Sequence, residues 1–213
     1  MDKIIIFDMD GVIVDSEKIY TDMNQKWFTE LGFKLPIEVH QKYIGISAKI
    51  FWTFLKNEFK LKEPIEYYIQ KEKELKFNTL SNLHLTPTNN LMNFISYIKS
   101  KKYKCALASS SLKMNINLIL TKLNLLNHFD FVISGEEVTS GKPNPEIFLR
   151  VKDFFQANVN QCIVIEDSMN GVTAAKAADM FCIGYFNPNS GNQDLSKADL
   201  IIDDFNHPML YTL

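Results

Sequence analysis

Short apolar runs of strand length alternate along this chain with segments of helical periodicity, and this alternation restricts the fold more than any other feature. The runs lie at 3–8, 103–108, 131–133, 161–166, 181–186 and 199–202. Between them, apolar side chains recur every three or four residues, as in Leu91, Ile95 and Ile98. The pattern predicts an α/β fold in which a parallel sheet is covered by helices.

The alternation stops between residues 15 and 85, where helical patterns follow one another without a strand pattern. Three amphipathic helices are predicted there, the second with Ser47 as its N-cap and the third after Pro64. Because the insertion follows the first strand directly, it is placed to cover whatever that strand's end contains. We therefore expect a helical cap domain, residues 15–85, on a core domain of residues 1–14 and 86–213.

The amino-acid composition indicates which classes of molecule the chain can bind. The chain has 213 residues, 46% of them hydrophobic and 16 of them Phe, which is ample for a buried core. A net charge of −2 and a pI near 6.1 argue against nucleic acid as a partner. No membrane span or signal pattern is evident, so we expect a cytoplasmic monomer or small homo-oligomer that does not bind membranes. The cysteines at positions 105, 162 and 182 lie in apolar runs and are predicted to be reduced core residues.

Polar groups occur where predicted strands end. Asp8 and Asp10 follow the first strand, Ser109–Ser111 ends the second, and Glu166 and Asp167 end the strand at 161–166. A further short motif, Gly-Lys-Pro, comes before the helix that precedes that strand. Each feature alone is consistent with a turn, a helix cap or a surface lysine. Together they predict one site, because the carboxyl ends of parallel strands meet at one edge of a sheet.

The residue types in these motifs suit phosphoryl transfer. Such a reaction needs a nucleophile, a proton donor and acceptor, and positive charge around the transferring group. Asp8 is the candidate nucleophile, forming an aspartyl-phosphate, and Asp10 is the candidate general acid and base. Asp167 offers a hard oxygen to Mg²⁺, with Glu166 as a direct ligand or a partner behind the ligands.

The remaining motifs would balance charge and bind phosphate. Lys142 is the natural counterion for the carboxylates and can reach both Asp8 and a phosphoryl oxygen. Ser109 and Ser110, with the amides of their turn, are the candidates for binding the other phosphoryl oxygens.

Four segments resemble the motifs of haloacid dehalogenase superfamily hydrolases, in the subgroup of β-phosphoglucomutase and sugar-phosphate phosphatases. The segments are Phe7–Glu17, Leu107–Ser111, Gly141–Pro145 and Ile165–Val172. The resemblance covers essentially the whole chain. It implies a Rossmann-like core with helices on both faces, a four-helix cap, and Mg²⁺ bound also by the backbone carbonyl of Asp10.

The resemblance also favours one branch of the chemistry. Cleavage of a carbon–halogen bond needs no proton for the leaving group, so Asp10 argues for phosphoryl transfer. The histidine that β-phosphoglucomutase has in its cap is Tyr20 here. The basic positions beside Gly45 and Ser47 are Ile44 and Ala48, and Lys49 comes one position late. This difference favours a phosphatase acting on a small phosphorylated metabolite, a sugar or polyol phosphate.

Two alternatives stay open. One is a phosphomutase like β-phosphoglucomutase, and the other is a non-catalytic protein that binds a phosphorylated metabolite. In either enzyme the cap would contact the substrate, and the predicted contacts are Glu17, Tyr20, Gly45 and Lys49.

Overall fold

The computed structural model describes residues 3–44 and 47–213, and a six-stranded parallel sheet forms the centre of the described chain. The strands are β1 (Ile4–Phe7), β2 (Lys104–Ser109), β3 (Phe131–Ser134), β4 (Cys162–Glu166), β5 (Phe181–Tyr185) and β6 (Leu200–Ile202). Their spatial order is β3-β2-β1-β4-β5-β6, and every neighbouring pair is parallel. All six apolar runs predicted as strands are strands.

Helices account for most of the remaining chain. The α-helices are α1 (Ser16–Glu30), α2 (Ile37–Gln41), α3 (Ala48–Phe59), α4 (Ile65–Asn82), α5 (Leu91–Ser100), α6 (Lys113–Lys122), α7 (Glu146–Phe154) and α8 (Met169–Ala177). Short 3₁₀ helices lie at Leu126–His128, Gly135–Glu137, Val159–Gln161 and Pro208–Thr212. No helix within the described residues is both long enough and apolar enough to cross a membrane.

Both faces of the sheet are covered, because alternate side chains of a strand point to opposite sides. Ile5 and Phe7 of β1 belong to the apolar cluster that includes residues of α5 and α6. Ile4 and Ile6 belong to the cluster that includes residues of α7 and α8. The predicted α/β class, with helices on both faces of a parallel sheet, is confirmed. The predicted core cysteines are buried and have free thiols.

Helices α1 to α4, here called the helical segment, have an apolar cluster of their own. Trp52 is fully buried, stacks on Tyr68 with 5.1 Å between ring centroids, and lies 4.7 Å from the ring of Trp27. The five-residue helix α2 was not predicted from periodicity, because it is too short to show one. The division of the chain into core and cap domains stays a prediction.

The beginning of α3 departs from expectation in one detail. Ser47 is the N-cap residue, as predicted, but its side chain makes no capping hydrogen bond with a described residue. The helix therefore depends more on burial of Phe51, Trp52 and Leu55 than on capping.

Candidate active site

A cavity of about 500 Å³ lies between the carboxyl edge of the sheet and the helical segment. Core residues on its wall include Asp8, Asp10, Ser110, Ser111, Lys142, Glu166 and Asp167. The helical segment contributes Glu17, Tyr20, Asn24, His40, Glu72 and Lys76 among others. The structure thus brings the four sequence motifs to one place. Above them lie Glu17 and Tyr20, which were predicted cap contacts, and four polar residues that sequence reasoning missed.

A tight turn after β1 sets the position of the first two carboxylates. The amide of Asp8 donates to the carbonyl of Ile165 at 2.9 Å, so β1 and β4 stay paired up to the site. Gly11 then has φ +80°, a conformation that side chains disfavour. A Cβ added to Gly11 would lie 1.9 Å from Oδ2 of Asp167. Glycine is therefore required both by the backbone conformation and by the closeness of that carboxylate.

The side chain of Lys142 contacts groups at the carboxyl ends of β1, β2 and β4. Its Nζ donates to Asp8 Oδ1 at 2.6 Å, Glu166 Oε1 at 2.7 Å and the carbonyl of Ala108 at 3.0 Å. Burial alone would lower the pKa of Lys142, but Asp8 and Glu166 hold it above its usual range. Lys142 is thus a fixed positive charge at the base of the cavity.

Glu166 positions this lysine. One of its oxygens accepts from Lys142, and the other accepts from the backbone amide and hydroxyl of Ser168, at 2.8 and 2.9 Å. Ser168 is also the N-cap of α8, where its hydroxyl accepts from the amide of Gly171. The Glu166–Ser168 motif therefore both caps α8, through Ser168, and contacts Lys142 in the site, through Glu166.

Asp8 and Asp167 lie in a region with more carboxylates than cations. Burial raises the pKa of Asp8 to about 8; Lys142 opposes this shift, and Glu166 and Asp10 add to it. Burial also raises the pKa of Asp167 well above its usual range, helped by Glu166 and Asp8. The hydroxyl of Ser190 donates to Asp167 Oδ2. Such crowding favours protonation or a bound cation.

The donor set at this point suits Mg²⁺. The carboxylates of Asp8 and Asp167 and the backbone carbonyl of Asp10 are hard oxygens, and Mg²⁺ typically uses one or two carboxylates with substrate phosphate and water. Within residues 3–44 and 47–213, no three His, Cys, Asp or Glu side chains form a metal cage by themselves. The residues fit an ion that is shared with the substrate better than an ion enclosed by protein.

Three hydroxyl groups donate to the carboxylate of Asp10. Ser16 and Tyr20 of α1 donate to Oδ1 at 2.5 and 3.2 Å, and Ser111 donates to Oδ2 at 2.5 Å. Sequence reasoning missed Ser16 and Ser111. Both belong to the quoted motifs, but nothing in the motifs says that their side chains turn toward Asp10.

The two serines predicted to bind phosphate differ in exposure. Ser109 is buried, and its hydroxyl accepts from the amide of Ser111 at 3.1 Å, which shapes the turn after β2. Ser110 is exposed and lines the cavity. Phosphate binding by this turn stays a prediction.

A buried polar network forms the roof of the cavity. Glu72 pairs with Lys76 at 3.1 Å and accepts from Trp52 Nε1 at 2.7 Å. Asn24 Nδ2 lies 3.4 Å from Glu72 Oε1 and 3.3 Å from Nε2 of His40. Burial opposes ionisation of Glu72, yet Lys76 and the hydrogen bonds hold its pKa below the usual range. In the sequence, Glu72 and Lys76 resemble an ordinary i,i+4 pair on a solvated helix face.

The four predicted cap contacts have different outcomes. Glu17 and Tyr20 line the cavity, and burial, followed by the charge of Asp10, raises the pKa of Glu17 to about 7. Lys49 lies on the exposed first turn of α3, outside the residues that line the cavity. Gly45 lies outside the described residues. Contact of any of them with a substrate stays a prediction.

Comparisons with known proteins match the chain over most of its length. A family model described as haloacid dehalogenase-like hydrolase matches residues 5–185. The phosphorylated carbohydrates phosphatase of Thermotoga maritima is 31% identical over 174 residues, 82% of this chain and 80% of that protein. The β-phosphoglucomutase of Bacillus subtilis is 27% identical, and the match covers 94% of this chain and 88% of that protein. The structure of CbbY from Rhodobacter sphaeroides in complex with phosphate matches 100% of both chains, with a TM-score of 0.84 and 19% sequence identity. This similarity concerns the fold alone.

Proposed function

Because the chain belongs to the haloacid dehalogenase-like hydrolases, we propose that it is a Mg²⁺-dependent phosphatase of a sugar or polyol monophosphate, acting through an aspartyl-phosphate at Asp8. The observation that carries the proposal is the convergence of Asp8, Asp10, Lys142 and Asp167 on one cavity covered by the helical segment. The helical segment acts as a cap that excludes bulky substrates and bulk water.

In the first half-reaction, a carboxylate oxygen of Asp8 attacks phosphorus and the bond from phosphorus to the substrate oxygen breaks. Asp10 gives its proton to that oxygen, which leaves as an alcohol. Lys142 lowers the repulsion between Asp8 and the phosphoryl oxygens, since its Nζ lies 2.6 Å from Asp8 Oδ1. Mg²⁺, held by Asp8, Asp167 and the backbone carbonyl of Asp10, would supply further positive charge to the phosphoryl oxygens.

In the second half-reaction, water attacks the phosphorus of the aspartyl-phosphate, and Asp10, now ionised, accepts the proton of that water. The bond from phosphorus to the Asp8 oxygen breaks, and inorganic phosphate leaves. Both residues return to their starting states. One carboxylic acid therefore serves both half-reactions, which divides a difficult hydrolysis into two easier steps.

The charges of the roof favour a phosphatase over a phosphomutase. A mutase must bind a bisphosphate in both orientations, which requires cations for the distal phosphate. The described residues that line the cavity include three lysines, Lys73, Lys76 and Lys142. Lys142 belongs to the base of the site, Lys76 is paired with Glu72, and Lys73 is exposed. With Glu17 also present, the roof offers a second phosphate little net positive charge.

The mutase stays the second candidate, because a relative with 94% coverage of this chain is named β-phosphoglucomutase. A non-catalytic binding protein is disfavoured, since binding alone would not require a nucleophile beside an acid and base. The relative named for phosphorylated carbohydrates supports a sugar-like substrate. The amide of Asn24 and the imidazole of His40 in the roof also support a sugar-like substrate, because both groups can form hydrogen bonds with neutral hydroxyl groups.

The test is phosphate release by the purified protein from a panel of sugar, polyol and nucleoside monophosphates, with Mg²⁺ and with EDTA. The proposal expects EDTA-sensitive release that is concentrated on a few small sugar or polyol phosphates. Asp8→Asn is the control, since it keeps the size of the side chain and removes the nucleophile. Isomerisation of β-glucose 1-phosphate that requires a bisphosphate activator, without net release of phosphate, would identify the mutase instead.

A further inference from the structure

We propose that Ser190 is a positioning residue that fixes the carboxylate of Asp167, and that the loop after β5 thereby sets the affinity of the site for Mg²⁺. This loop, residues 186–193, is here called the β5 loop. The proposal rests on the proposed function, because it concerns the cation of that reaction. None of the four sequence motifs includes a residue of the β5 loop.

Ser190 lies directly against the carboxylate of Asp167. Its hydroxyl donates to Oδ2 of Asp167, and the two residues are only 1% and 5% exposed. Rotation of the carboxylate would break this hydrogen bond in a place where little water can replace it, which is costly for a buried polar group. The side chain of Asp167 is therefore oriented before any cation binds.

Two backbone contacts hold Ser190 itself in place. Its amide donates to the carbonyl of Asn187 at 3.1 Å, which closes a turn within the β5 loop. Its carbonyl accepts from Nε2 of Gln193 at 3.0 Å. The other end of that amide side chain, Oε1, accepts from the backbone amide of Met169, the first residue of α8, at 3.0 Å. Because α8 begins two residues after Asp167, the hydroxyl and the carboxylate are both fixed to the start of this helix.

The β5 loop also supports the turn after β1, which carries another of the proposed ligands. Nδ2 of the buried Asn187 donates to the carbonyl of Gly11 at 3.1 Å. Gly11 follows Asp10, whose backbone carbonyl is proposed to bind Mg²⁺. A Cβ added to Gly11 would lie 2.9 Å from Oγ of Ser190, so the turn and the loop pack closely. One loop thus supports two of the three proposed ligands.

Support of this kind raises the affinity for a metal ion. Where ligands are free to rotate, part of the binding free energy is used to order them, and a hydrogen bond that orders them beforehand removes this cost. Loss of a hydrogen-bond partner of a metal ligand typically weakens metal binding by about 10- to 100-fold. A serine that served only to stabilise its loop would instead affect the free energy of unfolding and leave the metal affinity unchanged.

The test measures binding of Mn²⁺ to the purified protein without substrate, at one fixed pH. Mn²⁺, like Mg²⁺, prefers oxygen ligands, and its electron paramagnetic resonance signal in water decreases when the ion binds to protein. The variants are Ser190→Ala and Asn187→Ala. Ser134→Ala is the matched control, because Ser134 is also buried but its hydroxyl donates to the backbone carbonyl of Ser111, at 2.6 Å. Thermal unfolding in EDTA shows whether each variant is folded.

We expect Ser190→Ala to raise the Kd for Mn²⁺ by about 10-fold or more. Asn187→Ala leaves the hydroxyl partner of Asp167 in place and should raise the Kd less, by about threefold. In phosphate release, the Mg²⁺ concentration that gives half the maximal rate should rise by the same factors. The value of kcat at saturating Mg²⁺ should stay within about threefold of wild type, since the reacting groups are unchanged. Ser134→Ala should leave the Kd unchanged.

An unchanged Kd in Ser190→Ala, or an equal rise in Ser134→Ala, would overturn the proposal. If Ser190→Ala does not fold, Asn187→Ala decides, and an unchanged Kd in that variant is then the contradicting result. Failure of the proposed function has a different signature, which is a wild-type protein that binds Mn²⁺ but releases no phosphate. A wild-type protein that does not bind Mn²⁺ would contradict both.

Discussion

Each half of the site contains a pair of lysine and glutamate, and the two pairs differ in burial and in how far the sequence reveals them. Lys142 and Glu166 lie 2.7 Å apart at the strand ends of the core, and the lysine side chain is 5% exposed. Lys76 and Glu72 lie 3.1 Å apart on α4, and that lysine side chain is 30% exposed. The first pair comes from two sequence motifs, whereas the second consists of two polar residues within a helix.

The difference has a physical origin. The groups proposed to react are held where strands of the core end, and strand ends are visible as the limits of apolar runs. The residues proposed to shape the substrate space lie on helices whose inward faces are decided by tertiary packing. The core pair would therefore control the chemical steps, and the pair on α4 would control the fit of the substrate.

Replacing Lys142 by Met should give the largest effect. Asp8 and Glu166 would keep their buried carboxylates without the cation, so we expect activity to fall by at least about 10³-fold. Unfolding by urea without Mg²⁺ should show a loss of about 3 kcal/mol in free energy, as when one partner of a buried ion pair is removed. In the double variant Lys142→Met/Glu166→Gln, part of that stability should return while activity stays lost. Activity of Lys142→Met within tenfold of wild type would refute this role.

Gly11→Ala, compared with Gly32→Ala, separates the effect of site geometry from that of backbone strain. Both glycines have positive φ, +80° and +88°, so backbone strain by itself should cost each alanine about 1 kcal/mol in unfolding free energy. A Cβ at Gly11 would collide with Asp167, whereas at Gly32 nothing lies within 4 Å. We expect Gly11→Ala to lower activity about 100-fold, by the usual sensitivity of catalysis to small displacements. Equal activity of the two variants would show that the position of Asp167 does not matter.

Lys76→Met tests the other pair. If this pair shapes only the substrate space, KM for the preferred sugar phosphate should rise about 10-fold and kcat should change much less. In the double variant Lys76→Met/Glu72→Gln, the carboxylate that Lys76→Met leaves without its cation is also removed. The free energy of unfolding should then return toward the wild-type value, while KM stays high. A fall in kcat with unchanged KM would place Lys76 in the chemical steps and would erase the contrast between the two pairs.

The smallest effect concerns pH and His40. Burial, against the opposing charge of Glu72, lowers the pKa of His40 from 6.5 to about 4. As the pH falls, the unfolded chain therefore binds a proton at this residue at a higher pH than the folded protein does. Stability from the neutral imidazole is complete above pH 6.5 and is lost as the pH falls toward 4, by up to about 3 kcal/mol. His40→Gln should flatten this part of a plot of unfolding free energy against pH, and His84→Gln, at an exposed position, should not.

Much of the core was predictable. The six strands and the convergence of Asp8, Asp10, Lys142 and Asp167 follow from local patterns, because each group is fixed within a few residues of a strand. Gly11 stands directly after the two carboxylates in the sequence, but its closeness to Asp167 depends on how β1 and β4 pair.

The helical segment was less predictable. The helix α2 has five residues, too few for a periodic pattern. Asn24, His40 and Glu72 are buried through contacts with one another, at separations of 16 and 48 residues along the chain. Such partners cannot be chosen from helix periodicity, which gives the spacing on one helix and not the packing between helices.

The role of Asp8 is tested most directly by locating the phosphoryl group during turnover. The protein is mixed with p-nitrophenyl phosphate and Mg²⁺, quenched with acid within milliseconds, digested, and examined by mass spectrometry. If Asp8 is the nucleophile, a transient phosphoryl group should appear on the peptide that contains Asp8, and none should appear in Asp8→Asn. Phosphate release that continues without this species, or a phosphoryl group on another residue, would contradict the assignment of Asp8 as the nucleophile.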